Sequence, residues 1–299
     1  MIDFKPVCAE DKALYDGYLH ASPPRGCEFS FVNVYLWGKQ NLAVSDGCLI
    51  LLSYFGKTVV YSYPLGQGDK KAAIEAIIAD SKERGIPCRI NGMLPSEKEW
   101  LERQFTDRFE FNTTEDSYDY VYDINALADL TGKKYHSKRN HINRFRQNNP
   151  DYTVESISES NIKAVRDMAE EWFLNRECQV PESNFTMERA ALDKLFMGFS
   201  KLDAEGLVLK KSENILAFTV GSRFYDNMFD VHFEKARWDA NGAYPVINNE
   251  FAKHIRNKFP EVRLLDREED MGLEGLRQAK QSYHPVYRVQ KWRAVLKGE

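Results

Sequence analysis

Between residues 207 and 235 the chain sets down three β-rich runs in succession, Leu207–Lys211, Ile215–Phe224 and Met228–Lys235. Three residues lie at each junction, with Glu213-Asn214 and Asp226-Asn227 supplying the turns, since Asn accepts the backbone angles of tight turns. Connections this short allow only antiparallel neighbours in one sheet. Two helical segments precede the meander. Asn161–Glu177 carries Ile162, Val165, Met168, Ala169, Trp172 and Phe173 on one face, with Ser160 or Asn161 as its cap. Met187–Ser200 places Ala191, Leu192, Leu195 and Phe196 together. After the meander the pattern predicts a helix over Ala243–Asn257, a strand over Val262–Asp266, a helix over Leu273–Ser282 and a last strand over Val286–Trp292.

The first portion repeats this grammar more weakly. Cys48–Ser53 and Thr58–Tyr63 read as a hairpin around Gly56-Lys57. A helix over Asp69–Gly85 follows, with Ala73, Ile74, Ile77 and Ile78 inward and Gly85-Ile86-Pro87 closing it. Cys88–Leu94 reads as a strand, Ser96–Gln104 as a helix and Ser117–Asp123 as a strand. The expectation is an α+β chain of two similar domains: residues 1–130, a basic crossover helix over 131–150, and residues 151–299 carrying the expected donor site.

The 299 residues are 43% hydrophobic, enough for two cores and too much for a disordered chain. With 41 basic and 45 acidic side chains the net charge is −4, so contact with nucleic acid would need a local patch. No apolar run approaches the roughly 20 residues of a spanning helix, and Met1–Lys12 lacks the pattern of a signal peptide. Cys8, Cys27, Cys48, Cys88 and Cys178 are odd in number and widely spaced. They read as reduced thiols of a cytoplasmic protein, with neither a disulfide framework nor a metal ligand set expected.

Four stretches carry possible chemistry. In Phe229–Glu234 strict alternation puts Asp230, His232 and Glu234 on one side of a strand, where flanking carboxylates would raise the basicity of the imidazole. The same alternation is also what an ordinary polar strand face shows. The stretch from Lys235 through Arg237 to Asn241, Gly242, Ala243 and Tyr244 feeds a helix N-terminus, whose free amides suit phosphate. Next, Asp266, Arg267, Glu268 and Asp270 end a strand, and Arg277 and Lys280 lie three apart on the following helix. Last, 132–146 holds Lys133, Lys134, Lys138, Arg139, Arg144 and Arg146 without an acidic residue. Tyr135, Ile142 and Phe145 can dock inward, which leaves a basic face suited to phosphates or RNA.

The element order of the second portion is similar to that of GNAT acyltransferases. Residues 132–146, the Lys235-Ala236 to Pro245 block and the Asp266–Pro285 block resemble, over about residues 1–295, a bacterial family related to the C-terminal domain of phosphatidylglycerol lysyltransferase. The resemblance implies two tandem GNAT-like domains, each a mixed, mostly antiparallel sheet flanked by helices. It also implies transfer of an aminoacyl group from a tRNA ester, with Arg277 and Lys280 near the donor's terminal phosphates or the oxyanion. His232, with Asp230 or Glu234, would be the base. Asp266 and Asp270, with Arg267 and Glu268, would recognise the cationic amino group. No cofactor is required beyond the donor itself. The usual phosphate motif of GNAT enzymes has two glycines where this chain has Gly242 alone, and the lysyltransferases carry a membrane-embedded half that these residues lack.

The leading expectation is therefore aminoacyl transfer from aminoacyl-tRNA to a hydroxyl or amine on a small-molecule, peptide or lipid acceptor. Two alternatives stand beside it: acyl transfer from a coenzyme A thioester, and a catalytically silent RNA- or phosphate-binding module on the same scaffold.

Overall fold

The computed structural model describes residues 1–179 and 185–298, with the side chains of Cys178 and Gln179 outside that description. The four described cysteines are free thiols, Cys8 exposed and Cys27, Cys48 and Cys88 buried. In chain order the elements are β1 (Lys5–Pro6), α1 (Lys12–His20), α2 (Phe31–Leu36), β2 (Lys39–Ser45), β3 (Cys48–Phe55), β4 (Thr58–Ser62), α3 (Lys70–Arg84), β5 (Arg89–Met93), α4 (Pro95–Gln104) and β6 (Phe109–Asn112). They continue with β7 (Asp119–Asp123), α5 (Ile124–Asp129), α6 (His136–Asn148), β8 (Tyr152–Ser156), α7 (Ile162–Gln179), α8 (Thr186–Gly198), β9 (Ala204–Lys211), β10 (Asn214–Tyr225) and β11 (Met228–Ala236). The last elements are α9 (Ala243–Lys258), β12 (Leu264–Asp266), α10 (Glu274–Gln281), β13 (Tyr287–Val289) and β14 (Trp292–Leu296).

Two seven-stranded sheets result, ordered β1-β2-β3-β4-β5-β14-β6 and β13-β7-β12-β11-β10-β9-β8. The contacts divide the chain into unit 1 (Met1–Asp119, Glu269–Arg277, Arg288–Glu299) and unit 2 (Tyr120–Glu268, Gln278–Tyr287). Neither boundary falls at residue 130 or 150, because each sheet borrows a strand. β14, at the chain's end, pairs antiparallel with β5 and β6 of the first sheet. β7, read as the last strand of the first portion, pairs with β12 of the second. The strand expected over Val286–Trp292 is accordingly two short strands, one in each sheet.

In unit 1, α3 is capped at both ends as its sequence requires. The Asp69 carboxylate accepts from the amides of Lys71 and Ala72 at 3.0 Å, and Gly85 closes the helix at φ +66°. Ala73, Ile74 and Ile77 are fully buried against Ile50, Tyr61 and Ile90 of the sheet.

In unit 2 the meander β9-β10-β11 forms as expected, with its first turn one residue earlier, at Ser212 (φ +53°). α9 covers one sheet face, burying Val246, Ile247, Phe251, Ala252 and Ile255 against Phe229, Val231 and Leu265. Each such aliphatic or aromatic side chain withdrawn from water contributes about 1.5–3 kcal/mol. α7 and α8 cover the opposite face. Phe196 of α8 lies against Phe218, and the Lys235 ammonium sits 3.6 Å above the Trp172 ring of α7. On α6, Tyr135, Ile142 and Phe145 are buried as the spacing predicts.

Candidate functional site

The site begins with a break in the sheet of unit 2. β11 is nine residues long, yet it pairs with parallel β12 only at Met228, Phe229 and Asp230, opposite Leu264, Leu265 and Asp266. Beyond Asp230 no ladder joins the two strands. A second irregularity lies on the other edge of β11. Val220 pairs with Phe233 but Gly221 pairs with Val231, so His232 is an extra residue, a β-bulge.

The bulge overturns the expectation that Asp230, His232 and Glu234 share a face. Asp230 and His232 point toward the α7/α8 side, whereas Glu234 turns toward α9 and accepts from Asn248 Nδ2 at 3.2 Å. Strict alternation holds up to the bulge. The extra residue then reverses the phase.

On the α9 face, Glu234 also binds Arg267 Nη2 at 2.9 Å, bridging the gap between the strands. Arg267 packs over the rings of Tyr122 and Tyr283, 5.7 and 5.0 Å from their centroids. Lys138, from the basic helix α6, stands 3.9 Å above the Tyr283 ring. Burial lowers the Lys138 amine to about 8, with the nearby Arg267 charge assisting. Two buried polar atoms here have no hydrogen-bond partner, the donor Arg267 Nη1 and the acceptor Asn248 Oδ1. Unsatisfied buried groups are costly, and where they persist they point to a ligand or water that completes them.

On the opposite face His232 is wholly buried. Its Nε2 lies 2.8 Å from Ser222 Oγ, and its Nδ1 is 3.3 Å from Asp230 Oδ2 and 3.6 Å from Glu268 Oε1. Asp266 is buried and accepts from the Glu268 amide at 2.8 Å. The Lys280 ammonium is also buried and donates to the Arg267 carbonyl at 2.5 Å. Arg267, Glu268 and Lys280 therefore gather around the end of β12.

Other expected site residues are committed elsewhere. Arg277, in unit 1, holds Asp270 through Nε and Nη2 at 3.0 and 2.9 Å and Asp116 at 2.5 Å. Its guanidinium and the fully buried Asp270 are thus an internal ion pair, which leaves Asp270 no room to recognise a substrate amine.

Lys235 pairs with Glu188 at 2.5 Å under Trp172, and Arg237 pairs with Glu171 and Asp239 at 2.6 and 3.1 Å. Neither is offered to phosphate. At the start of α9, Asn241 is exposed and Gly242 adopts φ +89°. A Cβ at Gly242 would meet His141 O and Phe145 Cβ at 3.1 Å, so this glycine serves the close approach of α6. The Ala243 amide already donates to Ala240 O, Val246 to Gly242 O, and Pro245 has no N–H. Of the first helical turn only the Tyr244 amide is left for an anion, a poorer phosphate cradle than the turn suggested.

The basic patch is likewise smaller than expected. Arg139 caps α5 through Leu130 O and, at 2.8 Å, Gly132 O. Arg146 binds Glu250 and the Tyr152 hydroxyl at 3.0 and 3.1 Å. Lys133, Lys134 and Arg144 stay exposed.

A meander followed by a helix, with the strands splayed at a bulge and side chains gathered in the opening, defines a GNAT-like acyltransferase fold, present here as two mixed sheets flanked by helices. A tandem GNAT protein from the clavulanic acid biosynthesis pathway superposes with a TM-score of 0.53 at 9% identity, covering 99% of this chain and 98% of that one. Residues 20–295 match the family described as "Phosphatidylglycerol lysyltransferase, C-terminal", and the chain belongs to that family. A conserved protein of unknown function from Bacteroides thetaiotaomicron is 35% identical over 99% of this chain and all of that one, with a TM-score of 0.92. The L-PGS structure from Bacillus licheniformis shares the fold, with a TM-score of 0.65 at 18% identity over 97% of this chain and 93% of that one. Among curated sequences, an uncharacterized protein of Mycoplasmoides gallisepticum is 24% identical over 208 residues. That match takes in 68% of this chain and 63% of the relative, so the chain spans less than two thirds of it. No helix among the described residues is long and apolar enough to cross a membrane.

Proposed function

We propose that the protein transfers an aminoacyl group from the 3′ ester of a tRNA to an amine or hydroxyl, and that the reaction runs in the opening between β11 and β12 of unit 2. The family name supports the class of reaction. The observation that carries the site is the pair of buried, unbonded atoms Arg267 Nη1 and Asn248 Oδ1 on either side of Glu234.

In this reading the Arg267 N–H meets the ester carbonyl oxygen as it becomes an oxyanion, in a place shielded from water where one such donor contributes most. Glu234 and Asn248 Oδ1 receive the donor's ammonium group. The acceptor's lone pair attacks the carbonyl carbon while its proton passes to Lys138 Nζ. Collapse of the tetrahedral intermediate then breaks the bond to the ribose oxygen, which takes that proton. An amine near 8 suits this exchange at neutral pH, because it both accepts and returns a proton readily. The exposed Arg144 of α6 and Lys133 and Lys134 just before that helix give the tRNA backbone a counter-charge. His232 is left out of the proton path. It is enclosed on the far face, with Nε2 engaged by Ser222.

The test is single-turnover transfer from tRNA charged with labelled amino acids to a panel of amines, peptides and phosphatidylglycerol vesicles, beside a panel of acyl-CoA donors. Label leaving tRNA for an acceptor, reduced about 100- to 1,000-fold by Arg267→Met, is the expected result. Release of free coenzyme A without tRNA deacylation would move the protein to the CoA-dependent class. Inactivity with both donor types, alongside retained tRNA binding, would identify a silent binding module.

A further inference from the structure

We infer that Asp230, His232 and Glu268 form a divalent transition-metal site of the zinc class at the root of the strand opening, independent of which acyl donor the protein uses. The three ligand atoms lie within 4.8 Å of one another, two of them from β11 and one from Glu268, two residues past the end of β12. Their spacing is the first argument. Ligand atoms about 2.0–2.1 Å from a tetrahedral zinc ion stand about 3.3 Å apart along the tetrahedron's edge. His232 Nδ1 lies 3.3 Å from Asp230 Oδ2 and 3.6 Å from Glu268 Oε1.

The second argument is independent of that spacing. His232 Nδ1 belongs to a fully buried side chain, faces both carboxylates, and makes no hydrogen bond. An imidazolium would aim an N–H at one oxygen. Here the approach to both is close but misaligned, which is what a lone pair directed at a point between them produces. Ser222 completes the pattern from behind. Its hydroxyl, 2.8 Å from Nε2, can accept that proton and so hold the tautomer that leaves Nδ1 free to ligate. Two carboxylates and one imidazole suit zinc or a neighbouring first-row ion, and three protein ligands leave one position for water or substrate.

A cluster of similar composition in unit 1 shows the contrast. Cys27, Asp119 and Glu269 also converge, but the Lys291 ammonium stands among them at 3.5, 2.7 and 3.1 Å. That cluster already contains its cation.

The experiment is calorimetric titration of chelator-treated protein with Zn²⁺, paired with the visible spectrum of the Co²⁺-loaded protein, whose band intensity reports coordination number. The expected result is one equivalent bound, with affinity falling more than 100-fold in His232→Ala and in Asp230→Asn. Ser222→Ala should cost about 10- to 100-fold, as outer-shell partners do, and Cys27→Ser should change nothing. Glu268→Gln is the fallback if the more buried variants fail to fold, because its side chain is 21% exposed. It too must weaken binding and shift the Co²⁺ spectrum. Absence of binding at micromolar Zn²⁺, or binding that ignores these three substitutions, or binding lost in Cys27→Ser, would overturn the assignment.

Discussion

Each unit encloses a lysine, and the neighbouring charges send the two in opposite directions. Lys291 in unit 1 lies 2.8, 2.7 and 3.1 Å from Glu28, Asp119 and Glu269. Burial alone would lower its pKa, but the carboxylates and the Cys27 thiol together raise it well above the ordinary value. The same crowding, through burial first, pushes the Glu269 carboxyl up to about 7. Lys138 in unit 2 has an aromatic ring beneath it, Arg267 nearby as a like charge and Glu234 as the opposing carboxylate, and it falls to about 8. The pair shows that desolvation does not by itself decide what a buried amine becomes. Surrounded by acids it is a fixed cation just ahead of β14. Placed against rings and another cation it is a group that titrates near neutrality.

The largest expected effect comes from removing the fixed cation. Lys291→Met leaves Asp119, Glu269 and Glu28 gathered without it, and the loss in urea unfolding should be about 3–5 kcal/mol, the usual cost of breaking a buried ion pair from one side. Adding Asp119→Asn to that variant should recover most of the loss. A double variant as unstable as the single one would show that Lys291 acts through its packing and not through charge.

Lys138→Met should do the reverse on a smaller scale. A lysine lowered in the folded state binds fewer protons there than in the unfolded chain. Stability therefore rises with pH from about 8 toward the unfolded value near 10.5, and below that window the charged amine is a burden. Since the side chain is only partly buried, solvent screening limits the gain from Met to about 1 kcal/mol. Between pH 7 and pH 10 the gain in stability seen in denaturant melts should be smaller in the variant than in the wild type, by about 1 kcal/mol. In transfer assays the same substitution should abolish the rise in kcat/KM through about pH 8.

Much of this arrangement can be read from the residues, and the unread part has definite causes. The meander, its flanking helices and α9 are legible because hydrophobic spacing and turn residues agree over long segments. The inward docking of Tyr135, Ile142 and Phe145 follows from the same rule. The hairpin β2-β3 has its signal in the Asp46-Gly47 pair, and both residues take the positive φ such a turn requires, at 54° and 74°. The strand exchange had no local signal, because Trp292–Leu296 looks the same whichever sheet receives it. Likewise nothing in Phe229–Glu234 announces a bulge, so Glu234 could not be assigned to the α9 face from alternation alone. Lys138 stood in the sequence as one of six equivalent cations. Only the tertiary contact with Tyr283 and Arg267 sets it apart from Lys133 and Lys134.

Those exposed cations give the smallest effect on stability and the cleanest contrast with the two enclosed lysines. Lys133, Lys134 and Arg144 are solvated, so reversing all three to Glu should change unfolding free energy by no more than about 0.5 kcal/mol per site. Their influence lies in long-range charge. If they meet phosphates, each contact releases condensed counterions. The slope of log affinity for tRNA against log salt should then become shallower by about two to three in the triple variant. A slope that does not move, with affinity also unchanged, would mean that α6 faces solvent only and that Lys138 acts without a nucleic acid beside it. A reduced slope with an unchanged Lys138 pH limb would separate the two roles carried by residues 133–144, attraction at the exposed cations and proton exchange at the enclosed one.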